Sequence, residues 1–180
     1  YHEPFCGGAS LLFRLAPDAA IVSDVNVELI RTYKVLRSSP IDVFDRLKEF
    51  FQMSIGEEEK KYYEIRSMPI KNKVDGAARF IYLNKCGFNG LYRVGPTGEF
   101  NVSWGHRIYR EFPFALSDFT NAAETLKRCR LSVDQAFRTI LKAERGDFVY
   151  LDPPYDSSTP CYGNDRFTTQ NQIELALMFR

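Results

Sequence analysis

Asp152-Pro153-Pro154-Tyr155 directly follows the apolar run Phe148-Val149-Tyr150-Leu151. That run reads as a strand from Asp147 to Leu151, delivering the four residues to its carboxyl end, where ligands of open α/β sheets bind. These residue types suit one difficult reaction, methyl transfer to an exocyclic amine of a nucleobase, whose nitrogen lone pair is delocalised into the ring. Two acceptors on the N–H bonds, the Asp152 carboxylate and the Pro153 carbonyl, favour a tetrahedral nitrogen held in line with the methyl carbon. Pro153 and Pro154 stiffen the backbone and bring no N–H to compete, and Tyr155 offers a π-face on which the base can stack. Positioning and local charge stabilisation are the main catalytic resources for such a transfer. The competing reading is a strand followed by a rigid turn, with Asp152 as a cap. A bare Asp-Pro-Pro would favour that turn; Tyr155, the apolar strand and a glycine turn elsewhere in the chain favour methyl transfer.

That glycine turn is Glu3-Pro4-Phe5-Cys6-Gly7-Gly8-Ala9-Ser10, which reads as the exit of a strand, a turn and the start of a helix. Such a turn lets backbone N–H groups and a helix N-terminus come close to a ligand. Its spacing does not match the G-x-G-x-x-G of a pyrophosphate-binding turn. Asp24 lies sixteen residues beyond Gly8, at the end of the next short strand, Ala20 to Ser23. There a carboxylate can accept hydrogen bonds from both ribose hydroxyls. Separately, Gly7-Gly8 is an ordinary tight turn and Asp24 a helix cap for Val25 onward. Together they favour a nucleoside cofactor without a pyrophosphate, of which S-adenosylmethionine is one.

The elements that must position these residues alternate between strand and helix at both ends of the chain, which implies a parallel sheet. Helical spacing runs from Asn26 to Ser38. Ser39-Pro40 supplies a cap and a first-turn proline for a helix through Met53. Further helices are expected over Glu57–Met68, Val74–Cys86, 117–128 and Ala136–Ala143, with a strand over Arg130–Val133. Thr169 followed by Gln172 opens an amphipathic stretch with a capping box. Residues 87–105 hold five glycines and several aromatics and read as a loop or hairpin. The chain opens at a strand exit and stops in mid-pattern, which leads to the expectation of a fragment lacking pieces at both ends.

The 180 residues carry a formal net charge of +1, with 44% hydrophobic and 26% charged residues. That composition is of a globular domain with its own core. No apolar run approaches the roughly 18–20 residues that span a bilayer, and Tyr1-His2-Glu3-Pro4 is no signal peptide. Cys6, Cys86, Cys129 and Cys161 are scattered, with only His2 and His106 beside them, so neither a metal site nor a redox pair is expected. A reducing, cytoplasmic setting fits best. The near-neutral total hides a basic middle: residues 60–110 carry ten Lys/Arg against three acids. Such a segment faces a polyanion or forms a solvated helix face, and charge alone leaves both open.

Five motifs in order, E-P-F-C-G-G-A-S, V-S-D-V-N, F-N-G-L-Y-R, G-E-F-N-V and D-F-V-Y-L-D-P-P-Y, span nearly the whole chain. In these the sequence resembles the Dam family of DNA adenine methyltransferases, which methylate adenine in GATC-type sites. The resemblance implies a Rossmann-like, mostly parallel α/β sheet, incomplete here, with an inserted, mainly helical DNA-recognition domain bearing a hairpin. Catalytic parts would cover residues 1–50 and 117–180, and the insertion 51–116. By the same resemblance Glu3, Pro4, Phe5, Cys6, Gly7 and Gly8 line the methionine part of S-adenosylmethionine, Asp24 holds its ribose, and Asp134 sits near its adenine ring. Asp152, Pro153, Pro154 and Tyr155 grip the target adenine.

In the implied recognition hairpin, Phe88 is the intercalating aromatic that fills the gap left by an extruded base. Asn89 contacts the unstacked partners, Leu91 touches a thymine methyl, and Arg93 reads guanine through O6 and N7. Gly90, Asn101 and Ser103 complete the DNA-facing set, Ser103 standing where the family has proline. The family's lysine-containing K-W-x-G-G-K motif, which lies upstream of E-P-F, is not in this chain. The implied partner is double-stranded DNA, with no membrane, no metal and scope for functional pairing with a restriction endonuclease. Two other readings stay open: a methyltransferase acting on RNA or a protein amide, and a truncated remnant that binds DNA without catalysis.

Overall fold

Val22 and Ser23 are both wholly buried though they point to opposite faces of strand β2 (Ala20–Asp24). The sheet is therefore covered on both sides, as a parallel sheet in an α/β fold requires. In the computed structural model, which describes residues 1–154 and 167–178, β2 is the centre of a three-stranded parallel sheet. Strand β1 (His2–Glu3) pairs with it through His2 opposite Ile21 and Glu3 opposite Val22. Strand β3 (Cys129–Val133) pairs on the other side, from Ala20 opposite Cys129 to Asp24 opposite Val133.

The free side of β1 is taken by the segment leading to Asp152. His2 bridges Val149 in parallel, its N–H donating to Phe148 O and its carbonyl accepting from Tyr150 N–H, both at 2.8 Å. The expected strand over Asp147–Leu151 is thus reduced to a single bridge. A strand extends only as far as its partner, and β1 stops at Pro4, which has no N–H with which to continue the ladder. The chain steps outward from β1 through β2 to β3, then returns to the opposite side of β1. This reversal of strand order, beside β1, is the kind of place where open α/β sheets bind ligands at their carboxyl ends.

Helix α1 (Ser10–Leu15) follows the glycine turn. Helix α2 (Val27–Ser38) begins at Asn26, whose side chain accepts from Leu29 N–H at 3.2 Å. Helix α3 (Pro40–Phe50) starts with Pro40 in its first turn, but the Ser39 side chain makes no capping bond. Helices α4 (Glu58–Ser67), α5 (Lys73–Cys86) and α6 (Leu116–Lys127) complete the middle. Leu12, Val22, Ile30, Val43, Leu47, Tyr62, Ala78, Tyr82 and Leu126 belong to one continuous buried cluster, so the basic middle packs on the same core as the sheet. Among its own acids, Asp75 is buried and paired with Arg46 of α3 at 2.7 Å.

Helices α7 (Ala136–Ile140) and α8 (Thr169–Leu177) form a second, smaller cluster with Phe5, Val149, Leu151 and Phe167. Both α3 and α7 end three residues earlier than their apolar spacing suggests. Their last turns tighten to i→i+3 bonds, Phe51 N–H to Lys48 O in one and Lys142 N–H to Thr139 O in the other. The capping box of α8 uses Thr168 and Asn171, one residue before the expected pair. Thr168 has the extended backbone that a cap needs, whereas Thr169 is already helical.

The two clusters meet through one buried polar contact. Ser23 Oγ and Thr139 Oγ1 lie 2.7 Å apart, both wholly buried, and Ser23 reaches Pro4 O at 3.4 Å. Replacing Thr139 by valine leaves the Ser23 hydroxyl with that single long contact. Thr139→Val is expected to lower stability by about 1–3 kcal/mol, read from urea-induced unfolding.

Candidate active site

The turn after β1 is held by backbone bonds on both sides. Cys6 N–H donates to Ser23 O at 3.1 Å, and Ala9 N–H donates to Cys6 O at 2.6 Å. Gly7 lies in the left-handed region at φ 44°, where glycine costs least. Its N–H donates to Asp24 Oδ2 at 3.0 Å, and its carbonyl accepts the Tyr33 hydroxyl at 2.6 Å. A Cβ built on Gly7 meets nothing within 4 Å, so the space before this backbone is open.

Asp24 does not cap α2; Asn26 does. The Asp24 carboxylate ties the start of that helix to the glycine turn, its other oxygen accepting Asn26 N–H at 2.8 Å. A carboxylate has about four acceptor sites, and these two backbone bonds leave the remainder of a half-exposed group for an incoming pair of hydroxyls. Asp134, at the end of β3, donates its N–H to Asp24 O at 3.2 Å. Its own carboxylate accepts from Gln135 N–H at 3.0 Å and lies 3.7 Å from Arg138 and 4.0 Å from Lys142.

On the other side of β1, parallel pairing of His2 with Val149 carries Asp152 to the level of the turn that follows Glu3. Asp152 is exposed, while Pro153 and Pro154 are half-buried. Tyr155 lies outside the described residues. Asp152 is close enough to Glu3 for their charges to interact. Glu3 is only 2% exposed and accepts the Tyr1 hydroxyl at 2.9 Å. Burial pushes its carboxyl above the ordinary glutamate range and the Asp152 charge adds to this, while bonds from Tyr1 and the Leu12 N–H oppose it. Burial likewise raises the Cys6 thiol and the Tyr33 hydroxyl, keeping both neutral. Glu3, the glycine turn, Asp24, Asp134 and Asp152 thus gather at the carboxyl ends of four neighbouring parallel segments.

Residues 87–105 fold as an irregular hairpin, closed by bridges between Gly87 and Trp104 and between Val94 and Phe100. At its base a Cβ on Gly105 would sit 2.6 Å from Gly87 O, so only glycine permits this approach. Phe88, Asn89 and Gly90 make a single 3-10 turn in which Asn89 takes φ 53°. Phe88 and Leu91 are each 50% exposed, so Phe88 is not a core aromatic. Arg93 Nε–H donates to Asn101 Oδ1 at 2.7 Å, and Asn101 N–H returns a bond to Arg93 O at 3.0 Å. Asn101 and Ser103 are exposed beside them.

Three supporting groups escape the sequence reading. Tyr33 falls in the apolar stripe of α2 and reads as core; the need of any buried phenol for a partner is the clue it carries. Tyr1 anchors Glu3. His2 is buried, with Nε2 2.9 Å from Asp147 Oδ2, and so clips β1 to the segment before Asp152. Among the described residues no group of three His, Cys, Asp or Glu side chains could hold a metal ion, and no helix is long and apolar enough to cross a membrane.

All of residues 1–180 match the family described as D12 class N6 adenine-specific DNA methyltransferase. The chain belongs to this family. It is 31% identical over 197 residues to the type II methyltransferase M1.LlaDCHI of Lactococcus lactis subsp. cremoris, covering 100% of this chain and 66% of that protein. Against the type II methyltransferase M.MjaIII of Methanocaldococcus jannaschii the identity is 35% over 199 residues, covering 100% and 68%. Against the retron Ec67 DNA adenine methylase of Escherichia coli it is 31% over 179 residues, covering 97% and 61%. The chain therefore spans about two thirds of the length of these D12-class relatives.

The buried Glu3 makes a sign-specific prediction for this D12-class chain. A carboxyl raised in the folded state contributes stability that is fully present below its unfolded pKa of about 4.3 and is lost as pH rises through the folded value. Glu3→Gln removes that loss. Its unfolding midpoint is expected above the wild type near about pH 7 and level with it or lower near about pH 4, as thermal melts at the two pH values would report.

Proposed function

We propose that the protein transfers a methyl group from S-adenosylmethionine to N6 of an adenine swung out of duplex DNA, within a GATC-like site, in a reducing cytoplasmic setting. The reading is carried by one observation, the meeting of Asp152 with the Glu3–Gly7 turn at the reversal of strand order. A methyl donor and an amine acceptor must share one crevice, and open α/β sheets bind ligands there. The open backbone at Gly7 and the spare acceptor sites of Asp24 fit a nucleoside cofactor, and membership of a DNA methyltransferase family supports the same assignment.

When bound, S-adenosylmethionine would supply an electrophilic methyl carbon to the N6 lone pair, with a thioether as its leaving group and the displaced N6 proton passing to water. Asp24 would accept the ribose hydroxyls, Asp134 would border the adenine end, and Glu3 through Gly8 would line the methionine end. Asp152 and the Pro153 carbonyl accept the two N6–H bonds, drawing the lone pair out of the ring and along the line of transfer. Pro154 keeps this strand end rigid, and Tyr155 stacks on the base. No strong general base is required, because the proton leaves after the new bond has formed.

Extrusion costs a few kcal/mol, offset by contacts in the pocket and by Phe88 in the vacated stack. Residues 51–116 are the DNA-facing part. Asn89, Gly90 and Leu91 meet the bases, Arg93 reads guanine with Asn101 orienting its guanidinium, and Ser103 sits at the hairpin's exit. Exposed Lys71, Lys73, Arg107 and Arg110 supply the salt-sensitive share of affinity.

In the full-length protein, Asp152→Ala is expected to abolish tritiated-methyl incorporation into adenine-containing duplex DNA while leaving DNA affinity within about threefold, since binding rests chiefly on backbone phosphates. Parallel loss of both would make Asp152 structural, and label appearing only in tRNA or protein would remove the DNA substrate. Arg93→Ala should relax discrimination at one base pair by about 1–3 kcal/mol. A uniform loss over all sequences would instead mark a phosphate contact.

A further inference from the structure

Glu3 is an expensive residue to bury. It sits at the end of a two-residue strand, 2% exposed, with neutral donors only: the Tyr1 hydroxyl and the Leu12 N–H. Among the described residues neither Glu3 nor Asp152 takes part in an ion pair, though the two acids are near enough to repel. A buried carboxylate with no counter-cation is costly unless a cation arrives from outside. The other groups facing Glu3 are Tyr1, Cys6 in the turn, Tyr33 from α2 and Cys129 from β3. Burial raises all four, so they remain neutral and bring no positive charge. His2, next along β1, is committed to Asp147.

We propose that Glu3 is a charge-sensing specificity residue, which distinguishes the sulfonium form of the cofactor from its uncharged thioether product. The inference rests on the methyl-transfer reading above. For transfer to occur, the sulfonium carbon must lie in line with the amine held by Asp152, and hence close to the Glu3–Asp152 pair. A cation there favours the ionised form of Glu3. Once the methyl has left, sulfur is neutral, the ionised Glu3 again stands buried beside Asp152 without a counter-charge, and Glu3 must take up a proton or the product must leave. Glu3 therefore favours substrate over product and hastens exchange between them, an effect no neutral side chain at that position supplies.

Linkage fixes the sign. Bound sulfonium lowers the Glu3 pKa, so binding releases protons and the preference for S-adenosylmethionine over S-adenosylhomocysteine grows as pH rises from the ordinary glutamate range upward. One linked proton gives at most a tenfold change in that preference per pH unit.

The test is isothermal titration of the full-length protein with S-adenosylmethionine, S-adenosylhomocysteine and sinefungin, whose amine replaces the sulfonium charge, between about pH 5.5 and about pH 8. Each titration is run in two buffers of different ionisation enthalpy. The wild type should release more protons on binding the two cationic ligands than on binding S-adenosylhomocysteine. Glu3→Gln should cancel that difference, flatten the pH profile and reduce the preference at high pH by about tenfold, the effect of one pKa unit. Tyr1→Phe removes a bond that lowers the Glu3 pKa and should move the profile to higher pH. Equal proton release for charged and neutral ligands, or an unchanged slope in Glu3→Gln, would overturn the inference while leaving the methyl-transfer reading intact. Failure of all three ligands to bind the wild type would overturn both.

Discussion

Two residues, His2 and Glu3, pair in parallel with β2 on one side, while His2 alone bridges the Phe148–Tyr150 segment on the other, and this double pairing sets the geometry of the site. On the β2 side it brings the glycine turn to Asp24, whose carboxylate holds Gly7 N–H at 3.0 Å. On the other it raises Asp152 to the height of the same turn. A slip of one residue in a parallel pair would reverse which face each side chain meets, putting Glu3 where His2 is clipped to Asp147. The buried contacts around β1 hold the register: His2 with Asp147, Tyr1 with Glu3, Ser23 with Thr139.

The basic middle joins the sheet through a shared core instead of standing apart from it. Tyr62 and Tyr82 are its largest wholly buried side chains, and the Tyr62 hydroxyl donates to Val102 O at 3.0 Å. Arg66 donates to the same carbonyl, also at 3.0 Å, so one strand of the hairpin is pinned to α4 while its tip stays exposed. A rigid base with an exposed Phe88, Leu91 and Arg93 suits a reader of DNA, because base contacts need side chains that project and phosphate contacts need a fixed register.

Much of this was legible in the residues. Strand and helix alternation gave the parallel sheet, the apolar stripe of α2 gave its helix almost to the residue, and Gly7-Gly8 with Asp24 marked a turn and its partner. Periodicity reports burial, not hydrogen bonding, and so it overran α3 and α7, whose last turns are apolar but tightened. It also overextended the strand before Asp152, because the length of a strand depends on its neighbour and not on its own composition. The clips were invisible for a related reason. His2 and Asp147 are 145 residues apart, and nothing local in either residue points to the other. The cap of α2 is Asn26 and not Asp24 two residues before it, because Asp24 is spent on tying the turn to the helix.

The measurement that bears most directly on this account is a crystal structure of the full-length protein with S-adenosylhomocysteine and a duplex carrying its target adenine. The account predicts ribose hydroxyls on the Asp24 carboxylate, and the extruded adenine's N6 within about 2.7–3.2 Å of both an Asp152 oxygen and the Pro153 carbonyl. It is contradicted if the cofactor binds away from the Gly7 turn, or if N6 is held by other groups while Asp152 faces elsewhere.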